Sequence, residues 1–123
     1  MSTILVVEDE PNVRKLVVIN LIKRGYQVRE AENGTQALQL IRHQKPSLLI
    51  LDIKLPDLTG WDILDNITND PAMSVDFPVL VMTASPIDQA DALLKYKCIV
   101  QILIKPFNID MLITAIQRAL PKS

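Results

Sequence analysis

Glu8 and Asp9 follow the apolar run ILVV, Asp52 follows LLIL, Thr83 follows VLVM, and Lys105 follows ILI. Three carboxylates, a hydroxyl and an amine thus recur at the carboxyl ends of short apolar runs, where scattered surface charge has no reason to fall. Carboxylates crowded together would repel and raise one another's pKa. A hard divalent cation relieves that, and Mg²⁺ suits it because it takes oxygen ligands and can bridge carboxylates to a phosphoryl oxygen. The set reads as a phosphoryl-transfer site, with Asp52 as nucleophile and Glu8, Asp9 and Asp52 as metal ligands. The Thr83 hydroxyl and Lys105 ammonium would partner the remaining phosphoryl oxygens as charge develops there.

Positioning these groups requires their runs to be neighbouring strands. Five β-type runs are expected, over 3–7, 26–31, 47–51, 78–82 and 99–104. Several are continuously apolar, as in strands of a parallel sheet covered by helices on both faces. Helical patterns fill the gaps. In the last, Ile109, Leu112, Ile113, Ile116 and Leu120 form one stripe, with Asn108 as N-cap and Phe107 and Leu112 as a hydrophobic staple. Ser85 and Pro86 read as the N-cap and first residue of the fourth helix, and Gly25 and Pro46 punctuate the ends of the first two. Five β-α units imply an α/β, doubly wound, open sheet whose site lies at the strand carboxyl ends.

On the segments ILVVEDEP, LLILDIKLPDLTGWDIL, VLVMTAS and KPF, the chain resembles the response-regulator receiver domains over nearly its whole length. The resemblance includes Pro56 and Gly60 in the loop after Asp52. It implies a flavodoxin-like (βα)5 fold with strand order 2-1-3-4-5 and phosphorylation at Asp52. It also implies that Glu8, Asp9 and the backbone carbonyl of Lys54 hold Mg²⁺, that Thr83 and Lys105 bind the phosphoryl group, and that the Lys105–Pro106 bond is cis. The donor it implies is a histidine kinase, a phosphotransfer protein or a small phosphodonor. Such a domain is no enzyme in the ordinary sense, catalysing only its own phosphorylation and dephosphorylation.

Composition narrows the rest. The 123 residues fit a single domain, 1–123, and 49% apolar against 22% charged residues is globular rather than disordered composition. Thirteen basic and fourteen acidic residues, without a basic cluster, argue against direct contact with nucleic acid. No apolar stretch approaches a membrane span, the stretch MSTILVVEDE lacks a basic start, a long apolar run and a cleavage site, and the lone Cys98 suits a reducing compartment. A cytoplasmic protein beginning at its native first residue is expected. His43 reads as a surface residue, Glu10 as a charge favouring the following helix, and Trp61, Ile63, Leu64 and Ile67 as the core face of the third helix.

Two departures from the family matter for output. Ile102 stands three positions before Lys105, where switching members carry an aromatic ring, and the apolar run CIVQILI forms an edge strand that needs cover. A homodimer or output-partner surface over helix 4, strand 5 and helix 5 is therefore expected. Lys54 and Ser85, at positions that tune hydrolysis in the family, are neither carboxylate nor amide, which predicts a long-lived phosphorylated state. The alternative is a receiver-fold binding module acting without phosphorylation. A haloacid-dehalogenase-type phosphotransferase is disfavoured because it would carry a second Asp where this chain has Lys54.

Overall fold

The computed structural model describes residues 2–84 and 89–120. Its elements alternate: β1 (Thr3–Val7), α1 (Pro11–Lys23), β2 (Gln27–Ala31), α2 (Gly34–His43), β3 (Leu48–Asp52), α3 (Gly60–Thr68), β4 (Val79–Thr83), α4 (Gln89–Lys95), β5 (Ile99–Ile104) and α5 (Ile109–Ala119). The five strands are parallel in the order β2-β1-β3-β4-β5, so β5 is an edge, as the sequence led us to expect. The expected Ser85–Pro86 cap of α4 lies outside the described residues.

Strand side chains alternate between two cores. Leu5, Val7, Leu49, Leu51, Val79 and Val81 pack with Ala37, Leu38 and Ile41 of α2 and Ile63, Leu64 and Ile67 of α3. Ile4, Val6, Leu48, Ile50, Leu80 and Met82 pack on the other face with Val17, Val18 and Leu21 of α1 and Leu112, Ala115 and Ile116 of α5. Two buried faces explain why these strands read as unbroken apolar runs rather than alternating ones.

Helix ends are set locally. The Asn108 side chain accepts from Met111 N, and Asn33 caps α2 by accepting from Gln36 N. Thr59 and Asp62 form a reciprocal capping box at α3. Glu10 caps α1 by accepting from Asn12 N at 3.0 Å, with Pro11 in the first turn, so its role is structural as expected. Gly25 follows α1 with φ +88°, the conformation that ends helices at glycine. Trp61 packs against the same core from its margin: it is partly buried and stacks on the buried Tyr96, ring centroids 5.5 Å apart, while the Tyr96 hydroxyl donates to Asp65 at 2.8 Å.

The expected limits hold for β1 and β5, β2 starts one residue later than expected, and β3 and β4 shift by one residue at both ends. β3 and β4 run on to Asp52 and Thr83, which are paired with Met82 and Ile104 of the neighbouring strands. Ladder pairing rather than hydrophobicity decides a strand's end, so these polar residues are held by sheet backbone and not by a loop. The β4–β5 register shifts between Val79 and Leu80, leaving Val100 unpaired and half exposed on the edge.

Candidate phosphoryl-transfer site

The parallel sheet brings the carboxyl ends of β1, β3, β4 and β5 to one edge, and with them the polar residues singled out above. Glu8 is fully buried, Asp52 is 4% exposed and Thr83 is 2% exposed, the buried polar side chains among the described residues. Asp9 is exposed. Carboxylate oxygens of Glu8, Asp9 and Asp52 lie within 4.8 Å of one another. They line an open cavity of about 310 Å³ together with Glu10, Lys54, Leu55, Pro56, Ala84 and Lys105. Thr83 itself does not line it; its neighbour Ala84 does.

Lys105 is the counter-charge. Its ammonium donates to Glu8 Oε1 and, at 2.9 Å, to Asp52 Oδ2. The Lys54 N–H donates to the other Asp52 oxygen at 3.2 Å, and Glu10 N–H to Glu8 Oε2 at 3.2 Å. Lys105 is aimed by its backbone, whose N–H donates to the Thr83 carbonyl at 2.7 Å, and is followed by a cis bond to Pro106, as expected.

One ammonium among three carboxylates leaves the site electron-rich. Burial, and then the neighbouring Asp52, push the Glu8 carboxyl up to about 7, against a smaller opposing pull from Lys105. Burial disfavours the Lys105 charge, but its bonds to Glu8 and Asp52 more than offset this and hold the ammonium above its ordinary range. The folded chain therefore keeps a proton on Glu8 between 4.5 and about 7 that the unfolded chain releases, so stability falls as pH rises through that window. In EDTA, raising the pH across it is expected to lower Tm by an amount corresponding to about 3 kcal/mol, and saturating Mg²⁺ to suppress the fall. A flat Tm in EDTA would contradict this electrostatic account.

The donor set fits Mg²⁺: hard carboxylate oxygens converge in an accessible cavity, with no histidine or cysteine among the residues lining it and with the Lys105 amine held as a charged ammonium. The side chain of Lys54 is exposed, so only its carbonyl is a candidate ligand. His43 is exposed, and burial raises the pKa of the half-buried Cys98 thiol; neither belongs to the site.

Some supporting groups escaped sequence reasoning. Arg14 of α1 donates to the Glu8 carbonyl at 2.7 Å and pairs with Glu30 at 3.1 Å, securing the turn that presents Glu8 and Asp9. Nothing in the sequence links Arg14 to that carbonyl. Gly60 is required by close approach: a Cβ there would lie 2.9 Å from the Asp52 carbonyl oxygen and 2.7 Å from Ile53 Cδ1. Gly60→Ala is expected to cost about 2 kcal/mol and to lower Tm by several degrees. An unchanged denaturation midpoint would mean the loop yields freely.

A family profile described as "Response regulator receiver domain" matches residues 4–117. The chain belongs to the response-regulator receiver family. This receiver domain is 32% identical over 119 residues to sporulation initiation phosphotransferase F of Bacillus subtilis, a match covering 96% of this chain and 93% of that one. It is 38% identical over 83 residues to the phosphate regulon regulatory protein PhoB of Pseudomonas aeruginosa, 68% of this chain but only 36% of PhoB. It thus spans about a third of the length of that longer relative. Among solved structures it resembles the response regulator TrrA of Thermotoga maritima in complex with Mg²⁺ and BeF, with TM-score 0.82, 32% identity, and coverage of 98% of this chain and 100% of TrrA. Vibrio cholerae CheY4 superposes with TM-score 0.85 at 27% identity, covering 98% of this chain and 99% of CheY4. Among the described residues no helix is long and apolar enough to cross a membrane.

Proposed function

We propose that this receiver domain accepts a phosphoryl group on Asp52 with Mg²⁺ bound by Glu8, Asp9, Asp52 and the Lys54 carbonyl. The observation carrying this is the convergence of the three carboxylates around one cavity, with the Lys105 ammonium bonded to the nucleophile. When bound, the cation offsets the charge that builds on the phosphoryl oxygens. An Asp52 oxygen attacks phosphorus, and the bond from phosphorus to the donor's imidazole nitrogen or leaving oxygen breaks as the new acyl phosphate bond forms. Lys105 stays charged throughout and follows the developing negative oxygen, and the Thr83 hydroxyl rotates from its buried site to donate to another. The domain acts only on itself in this reading. It works in the cytoplasm, taking its phosphoryl group from a histidine kinase or a phosphotransfer protein.

Incubation with Mg²⁺ and acetyl phosphate or phosphoramidate, read by intact mass, tests the proposal. A Mg²⁺-dependent single adduct supports it. No adduct on folded, Mg²⁺-binding protein would favour a module that engages partners without phosphorylation.

The output face in this reading is α4–β5–α5. Leu93 and Leu94 of α4, Val100 and Ile104 of β5 and Met111 of α5 are large apolar residues between 42% and 76% exposed. Ile102, where an aromatic switch would stand, is instead buried in the core. Phosphorylation is expected to promote self-association through this face; sedimentation showing only monomer at all concentrations, with and without phosphodonor, would remove the homodimer.

A further inference from the structure

Lys54 lies at the base of a short loop between β3 and α3 that is closed by an antiparallel bridge between Lys54 and Thr59. Its base is pinned by Lys54 N–H to Asp52 and by Gly60 N–H to the Ile53 carbonyl at 2.7 Å. Its far end is pinned to a different element. The Asp57 carboxylate accepts from Gly34 N–H at 2.7 Å, from Thr35 N–H at 2.9 Å and from the Thr35 hydroxyl at 2.7 Å, all in the first turn of α2. It also accepts from Leu58 N–H at 2.9 Å, which fixes the side chain against its own loop. These bonds, led by that of the Thr35 hydroxyl, hold the Asp57 carboxyl well below the usual carboxylate range.

A second contact is independent of charge. Leu58 packs so closely on Gly34 that a Cβ there would come within 2.7 Å of Leu58 Cβ. The tip of the loop is therefore seated on the start of α2 by a carboxylate clasp and by a glycine that admits the neighbouring side chain. Because the Lys54 side chain is exposed, the direction of its carbonyl is set by the loop's conformation and not by packing of the residue itself.

We propose that Asp57 is a positioning residue for the cation: by clasping the N-terminus of α2 it holds the 54–59 loop in the conformation that turns the Lys54 carbonyl toward the carboxylate cluster. This rests on the Mg²⁺ site argued above and adds to it a contact between α2 and the metal-binding loop. Asp57 touches neither metal nor phosphoryl group. Its role is to spare the site the cost of ordering that loop when the cation arrives. Supporting groups that orient ligands are typically worth about 10- to 100-fold in metal affinity. Asp57, acting through a loop, belongs at the lower end.

The test is calorimetric titration of the whole chain with Mg²⁺ alone, beside Tm in EDTA, for wild type, Asp57→Ala, Asp57→Asn, Thr35→Val and Asn108→Ala. Asn108→Ala removes the cap of the distant α5 and serves as the stability control. Expected are an about tenfold weaker Kd for Asp57→Ala and smaller losses for Asp57→Asn and Thr35→Val, which keep part of the clasp. Asn108→Ala should bind as wild type despite a lowered Tm. Wild-type affinity in Asp57→Ala, or equal weakening in Asn108→Ala, would overturn the positioning role while leaving the metal site intact. Failure of the wild type itself to bind Mg²⁺ would overturn the metal site and the role together.

Discussion

Asp52→Asn is expected to take up no phosphoryl group from acetyl phosphate or phosphoramidate under conditions that give the wild type a single adduct. The amide nitrogen cannot stand in for the attacking oxygen, and the remaining amide oxygen is a far poorer nucleophile than a carboxylate. The fold should survive the change, because Asn is isosteric and its oxygen can still accept from Lys105 or from the Lys54 N–H. Replacing a charge in an electron-rich cluster also removes one ligand for the cation, so the rise in Tm on adding Mg²⁺ should shrink in the variant. Intact mass and Tm with and without Mg²⁺ check both outcomes. A wild-type-like adduct in Asp52→Asn would place the acceptor elsewhere and undo the assignment.

Lys105→Met keeps the unbranched apolar stem as far as the ε carbon and deletes the ammonium with its charge. Glu8 and Asp52 are almost wholly buried and both bonded to this ammonium. Breaking a buried ion pair by removing one partner costs about 3–5 kcal/mol, the lower end applying here because the Lys105 side chain retains solvent contact and the carboxylates can take up protons. For a domain of this length, about 3 kcal/mol corresponds to roughly 10 °C in Tm in EDTA. Mg²⁺ should recover part of that loss by supplying the missing positive charge. It should not recover phosphorylation, whose rate is expected to fall about 10²-fold with the loss of a donor aimed at the developing charge. An unchanged Tm would show that Lys105 is a solvated lysine near the site rather than its counter-charge.

The two outcomes separate roles that the cavity brings together. Asp52 carries the bond-forming chemistry, and its loss is read in the adduct. Lys105 carries electrostatic balance as well, and its loss is read in the adduct and in the stability of the metal-free fold.

Much of this was legible in the residues alone. The runs ILVV, LLIL and VLVM identify strands buried on both faces, because a chain that must satisfy two apolar layers has no room for alternation. Once the elements alternate β and α, each helix returns the chain to start a parallel strand, and parallel strands have their carboxyl ends at the same edge. Glu8, Asp9, Asp52 and Lys105 were therefore placed together by sequence order, and the cavity they line follows from topology. The Asn108 cap and the helical stripe of α5 were legible for the same reason: their partners lie within one turn along the chain.

Tertiary structure decided what depends on distant partners. Thr83 is buried in the sheet, paired to Ile104 across the ladder, and is not among the residues lining the cavity. Trp61 closes the margin of the core by stacking on Tyr96, thirty-five positions away in sequence. Arg14 on the Glu8 carbonyl and Asp57 on the first turn of α2 are contacts whose partners are unremarkable polar residues in sequence, with no periodicity to betray them. Residue type and spacing determined which groups meet at the sheet edge, since local periodicity and chain topology are enough for that. How those groups are braced, and which face of each residue meets solvent, is set by packing between elements remote in sequence, and only the folded chain supplies it.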